Sequence, residues 1–246
     1  MRLMTHLFAL TFVTGVIDAA SFLGMGRTFT ANMTGNVIFL GFAIAGAPGI
    51  SVARCTLAVA GFVTGAALAG RVAAGIPVAS RASRMVRAGL AEATLLSLAA
   101  LVAAGQPGDL PESGGRLAAV IVLAALAMGV RNATVRAVAI PDMTTTVLTM
   151  TITSLAADAA ASAAGAANPR WPRRVGSVLA MTAGAVLGVL LLRRGLWCPL
   201  ALSAVVGAAS TLALRSGAAQ AERPTAGEVT TSRSVPARHT RPPLER

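Results

Sequence analysis

Four polar side chains crowd one short stretch of an otherwise apolar chain. Asp18 lies in Gly15-Val-Ile-Asp-Ala-Ala-Ser-Phe-Leu, and Asn32, Thr34 and Asn36 follow in Asn-Met-Thr-Gly-Asn. A carboxylate inside an apolar helix can hold a proton or cation, and amide and hydroxyl oxygens beside a helix break can hold an ion or small polar solute. A related stretch recurs halfway along: Gly129-Val-Arg-Asn-Ala-Thr-Val-Arg136, then Asp142-Met-Thr-Thr-Thr146. Gly15 and Asp18 align with Gly129 and Asn132, and Asn32-Met-Thr aligns with Asp142-Met-Thr. The candidate solute ligands are therefore Asn32, Thr34, Asn36, Arg131, Asn132, Arg136, Asp142 and Thr144. Asp18 is the first candidate for coupling to an ion or proton. Asp158 is the second, on a polar stripe with Thr151, Ser154 and Ser162.

The elements that must position these groups are membrane helices. The chain of 246 residues is 55% hydrophobic and 12% charged, with a mean hydropathy of +0.71. Apolar runs cover residues 3–25, 37–47, 53–70, 89–104, 117–130, 147–165, 175–192 and 199–214. A helix needs about 20 residues to cross a bilayer core, which several runs supply outright. The pattern predicts an all-α, polytopic transmembrane bundle of seven or eight segments with broken helices. A soluble bundle would need amphipathic periodicity that these runs lack. The length of the first run, with Asp18 inside it, argues against a cleaved leader.

The repeat continues beyond the polar stretches. Gly61-Phe-Val-Thr-Gly65 followed by Arg71 has the spacing of Gly184-Ala-Val-Leu-Gly188 followed by Arg194. Small residues four apart let helices approach closely. Two similar halves are expected, about 1–106 and 107–215, ahead of a disordered Pro/Arg-rich tail at 216–246. Non-helical backbone is expected within 26–36 and within 131–144. Arg71, Arg81, Arg84 and Arg87 place their connection in the cytoplasm, and Asp109 and Glu112 place the next one outside. A parallel four-plus-four arrangement then puts Arg193 and Arg194 inside, but Arg170, Arg173, Arg174 and the tail outside, against the rule.

The remaining charged and reactive residues have simpler readings. The net charge of +12 comes from arginines at segment ends and in the tail, which set topology rather than bind nucleic acid. Cys55 and Cys198 lack metal or redox spacing. Glu92 lies near a segment start, where it can reach the interface. Arg131 and Arg136 either pair with Asp18 or Asp158 or mark the end of the fifth segment at Val130. Asn32, Thr34 and Asp142 also suit helix N-caps. No hydrolase or metalloprotease motif is present, and His6 and His239 lie at a membrane edge and in the tail. Neither an enzyme nor a cofactor is expected.

The Gly-Val-Ile-Asp-Ala-Ala-Ser-Phe-Leu, Asn-Met-Thr-Gly-Asn and Gly-Val-Arg-Asn-Ala-Thr-Val-Arg motifs resemble the YoaK family of bacterial membrane proteins, a domain of unknown function. The resemblance spans about residues 5–214 and implies a multi-pass protein of the bacterial inner membrane, with the lipid bilayer as partner. It brings no established substrate. The family pattern has Gln-Asn where this chain has Arg131-Asn132, and a Thr-Gly pair after the threonine run where this chain has Leu148-Thr-Met-Thr151. Two functional classes are expected: a secondary transporter of a small solute, or a non-transporting membrane scaffold.

Overall fold

Helix formers dominate each apolar run, and proline is kept out of the helix interiors. Among the described residues Pro48 falls between helices, and Pro172 and Pro199 fall in first turns, where the missing amide costs no internal bond. The computed structural model describes residues 2–74, 81–104, 114–138, 148–163 and 171–221. They form eight helices: α1 (Arg2–Gly24), α2 (Met33–Ile44), α3 (Val52–Ala74), α4 (Arg81–Ala103), α5 (Gly115–Val138), α6 (Leu148–Ala163), α7 (Trp171–Leu192) and α8 (Trp197–Ala221). Six of these, all but α2 and α6, are long and apolar enough to cross a membrane. The protein is a helical membrane bundle. Val37, Ile44, Leu101 and Val205 are among many large apolar side chains left exposed, as a lipid-facing surface requires.

α1, α4, α5 and α8 surround the main core, where Val13, Ile17, Leu96, Val120, Ile121, Met128 and Leu200 are buried. α7 packs along α1, and α3 along α5. α6 lies on α7, and α2 on α3. Glycine sets both of the closest pairings. A Cβ on Gly15 would stand 2.1 Å from the Met181 carbonyl oxygen and 2.9 Å from the Ala185 nitrogen. A Cβ on Gly129 would stand 2.1 Å from the Phe62 oxygen and 2.9 Å from the Ala66 nitrogen. Gly184 presses in turn on the Phe12 oxygen, and Gly65 on the Leu126 oxygen. Phe12 and Leu126 lie three residues before Gly15 and Gly129. Gly65 thus meets α5 three residues before Gly129, as Gly184 meets α1 three residues before Gly15.

These contacts also give the helix directions. Phe8, Phe12, Ala19 and Gly24 of α1 meet Gly176, Gly184, Gly188 and Leu192 of α7 in ascending order, so the two helices are parallel. α3 and α5 are parallel by the same test, with Gly61 on Val122 and Gly65 on Leu126. α1 and α8 are antiparallel, since His6 meets Ser210 and Gly24 meets Leu196. α4 is antiparallel to α8 and to α5, through Gly89 with Thr211, Glu92 with Gly207, Glu92 with Arg131, and Val102 with Arg116. Thus α1, α4 and α7 run one way and α3, α5 and α8 the other. α2 begins and ends at the same end of the bundle, and so does α6 at the opposite end. A parallel four-plus-four arrangement is ruled out. Arg173 and Arg174 share an end with Arg71, Arg84 and Arg87, while Arg193 and Arg194 lie at the other. The expected sidedness fails because α2 and α6 do not cross.

Several helices outrun their apolar stretches, and α8 continues to Ala221, into the segment expected from 216 as a disordered tail. α4 begins at Arg81 rather than near Gly89, and α5 continues to Val138 rather than stopping at Val130. Arginine is a good helix former, so a charge ends the hydropathy signal without ending the helix.

Candidate functional site

Gly129 faces α3, and at about 100° per residue the side chain two positions on points to the opposite side of α5. That side chain is Arg131, which is 1% exposed between α1 and α4. Glu92, equally buried, meets it from α4. Gly207 on α8 leaves room for the Glu92 carboxylate, since a Cβ there would lie 3.4 Å from Oε1. The guanidinium grips the carboxylate as a fork: Nε donates to Oε2 at 2.8 Å, and Nη2 donates to Oε1. Nη1 donates to the Thr14 hydroxyl at 2.9 Å and to the Leu10 carbonyl at 3.0 Å. The Thr14 hydroxyl gives its own proton to Leu10 O at 2.9 Å, so it is free to accept from Nη1.

One turn below, His6 is buried with Nδ1 3.1 Å from the Ser210 hydroxyl. Ser210 donates to the Gly207 carbonyl, so Nδ1 is the donor in that pair. His6 is therefore enclosed by the bundle, close to the start of the first apolar span. The network ties α1, α4, α5 and α8 together.

Asp18 stands one turn above Thr14 on α1. It is partly buried, and its Oδ1 has no hydrogen-bond partner among the described residues. The Ala31 backbone amide lies beside the carboxylate, and Arg131 is close enough to act on it electrostatically. Ala31 belongs to the non-helical stretch 25–32 that separates α1 from α2. This stretch turns through positive φ at Gly26 and Arg27. Phe29 stacks between Phe22 and Phe39 with ring centroids 5.2 and 5.7 Å away. The Thr30 hydroxyl is buried without a hydrogen-bond partner among the described residues, and the buried Thr28 hydroxyl lies against the Cys55 thiol.

The other expected ligands go elsewhere. Asn36 is fully buried and clamps the loop: its Oδ1 accepts from the Phe29 amide at 2.8 Å and its Nδ2 donates to the Phe29 carbonyl. Asn32 caps α2 by accepting from the Gly35 amide at 3.3 Å. Asn132 donates to Met128 O on its own helix. Thr34 and Arg136 are exposed. Asp158 on α6 pairs with Arg174 in the first turn of α7. Residues 131–138 are continuous helix, and Asp142 and Thr144 lie outside the described residues. Arg131 thus pairs with neither Asp18 nor Asp158. Its partner, Glu92, was missed because the apolar run misplaced the start of α4 and put a mid-helix carboxylate at the interface. Among the described residues no cluster of three metal-binding side chains occurs.

The chain is 29% identical to the UPF0700 transmembrane protein YoaK of Bacillus subtilis (strain 168) over 157 residues. That match covers 63% of this chain and 66% of the relative's own length. No solved structure matches. The family described as "Protein of unknown function (DUF1275)" matches residues 6–213, most of the chain. This multi-pass bacterial membrane protein belongs to that family.

Proposed function

We propose that the protein is a secondary transporter of a small solute, built from two inverted-topology halves, with Asp18 as its ion- or proton-coupling group. The single observation that carries this reading is Asp18 itself. It is a carboxylate inside a membrane helix, with one buried oxygen unpartnered among the described residues, beside non-helical backbone. Intramembrane carboxylates are costly, and transporter sites combine them with interrupted helices at the junction of repeats.

The repeat is supported by pairings that exchange between halves. α1 packs on α7 as α5 packs on α3, α8 on α1 as α4 on α5, and α6 on α7 as α2 on α3. Each half then contributes three spans and one shorter helix, and the halves point in opposite directions. On this reading the end carrying Arg71, Arg84, Arg87, Arg173 and Arg215 is cytoplasmic, which places both α1's start and α8's end inside. Arg131 and Glu92 form the pivot about which the inner four helices hold together, while the solute occupies the space near Asp18 and residues 28–31.

A scaffold role is the competing reading. It is favoured by the fate of Asn32, Asn36, Asn132 and Arg131, whose side chains are engaged within the protein. Reconstitution into vesicles separates the two. Amino acids, short carboxylates, purines and sugars are applied one at a time with and without a proton or sodium gradient, and charge movement is recorded. A transporter gives gradient-dependent current with at least one class, and Asp18→Asn abolishes it while insertion and thermal stability persist. Normal accumulation by Asp18→Asn, or silence of the parent protein across the panel, would overturn the coupling role.

A further inference from the structure

α3 and α4 are consecutive, yet they are not packed against one another, and α5 forms a back wall between them. The resulting cleft has a volume of about 500 Å³. Its walls are short apolar side chains, including Ala69, Ala73, Ala88, Ala91 and Ala133, and it opens sideways past exposed Leu68 and Val72. Small residues here leave a channel for a chain-shaped guest, in contrast to Gly15 and Gly129, which close their helix pairs.

The rim is as distinctive as the walls. Arg84 and Arg87, three residues apart on α4, line the cleft at the arginine-rich end of the bundle, and no carboxylate is among the described residues that line it. Arg71 is exposed in the last turn of α3 at the same end. An apolar slot that opens to the bilayer, with guanidinium groups at headgroup level, matches a molecule with a hydrocarbon tail and a phosphate head.

We propose that this cleft binds one anionic glycerophospholipid from the leaflet on the arginine-rich side. An acyl chain lies along Ala69, Ala91 and Ala133, and the phosphate sits between Arg84 and Arg87. A tail-only ligand would draw no binding energy from the two guanidinium groups on the rim. A water-soluble anion would leave the apolar slot unexplained. The site is separate from Asp18 and does not depend on whether the protein transports.

The full chain is purified in detergent, stripped of lipid, and titrated with dioleoyl phosphatidylglycerol or dioleoyl phosphatidylcholine, and bound lipid is counted by native mass spectrometry. One tightly retained phosphatidylglycerol is expected, with phosphatidylcholine retained at least tenfold more weakly. Arg84→Gln with Arg87→Gln should weaken phosphatidylglycerol by roughly five-fold per arginine, abolishing the preference. Ala91→Phe fills the slot without changing charge and should also displace the lipid, which decides the matter if the arginine variant fails to fold. Equal retention of the two lipids, unchanged retention in the variants, or a protein dimer that excludes lipid from the cleft would each overturn the proposal.

Discussion

Among the described residues two ion pairs join helices, and they stand in different relations to the bundle. Arg131 and Glu92 have side chains 1% and 2% exposed, and their hydrogen bonds reach α1, α4 and α5 beside a glycine of α8. Arg174 and Asp158 are 8% and 19% exposed, and their bond links α7 to α6 at one end of the bundle. In the sequence both begin as a solitary acid in an apolar run. Depth and the number of elements tied together separate them. A charge buried among the inner helices must keep its partner or bear its full desolvation cost. A charge at the bundle end has water and headgroups within reach.

The largest test of this contrast is Glu92→Gln. It leaves Arg131 buried without a counter-charge, and a loss of about 3–5 kcal/mol is expected in thermal or denaturant unfolding in detergent. Replacing both groups, Arg131→Met with Glu92→Leu, should recover most of that loss, because a well-packed apolar pair needs no desolvation. If the single variant is as stable as the parent, the pair is not the hub of the bundle.

Thr14→Val probes the same hub with one bond. It keeps the shape but removes the acceptor for Arg131 Nη1, which retains the Leu10 carbonyl, so about 1 kcal/mol should be lost. Asp158→Asn at the bundle end should cost about 1 kcal/mol or less, and the cost should shrink as salt is raised. An effect equal to that of Glu92→Gln would erase the distinction between the two pairs. Arg136→Gln, on an exposed side chain one turn beyond Arg131 in the same helix, should change the unfolding midpoint least, within about 0.5 kcal/mol. A large loss there would mean that position on the helix, rather than burial, governs these arginines.

Residues around the first polar stretch were partly legible in advance. The turn after Phe22 was readable because Gly26 and the Asn-Met-Thr-Gly-Asn block are turn and cap chemistry, and Asn32 does cap α2. Asn36 was not readable as a clamp on Phe29, because a side-chain amide offers the same oxygen to a solute as to its own loop. Asp18 was singled out by its apolar surroundings alone. Glu92 was passed over because hydropathy marks where charge begins, while the helix runs on beneath it.

By itself the sequence determined the class, since long apolar runs with charges at their ends satisfy their backbone groups in a bilayer only as helices. It also marked Gly61, Gly65, Gly184 and Gly188 as points of close approach, because an absent Cβ is a local property, whereas the tighter approaches at Gly15 and Gly129 came from the structure. Which helix each glycine meets, and which arginine meets which acid, were decided by tertiary structure. Those outcomes depend on helix direction, and direction depends on whether α2 and α6 cross. Twelve and sixteen residues of helix leave that choice open in sequence. Packing of α1 on α7 and of α3 on α5 closes it, because parallel neighbours fix which end of each helix is which.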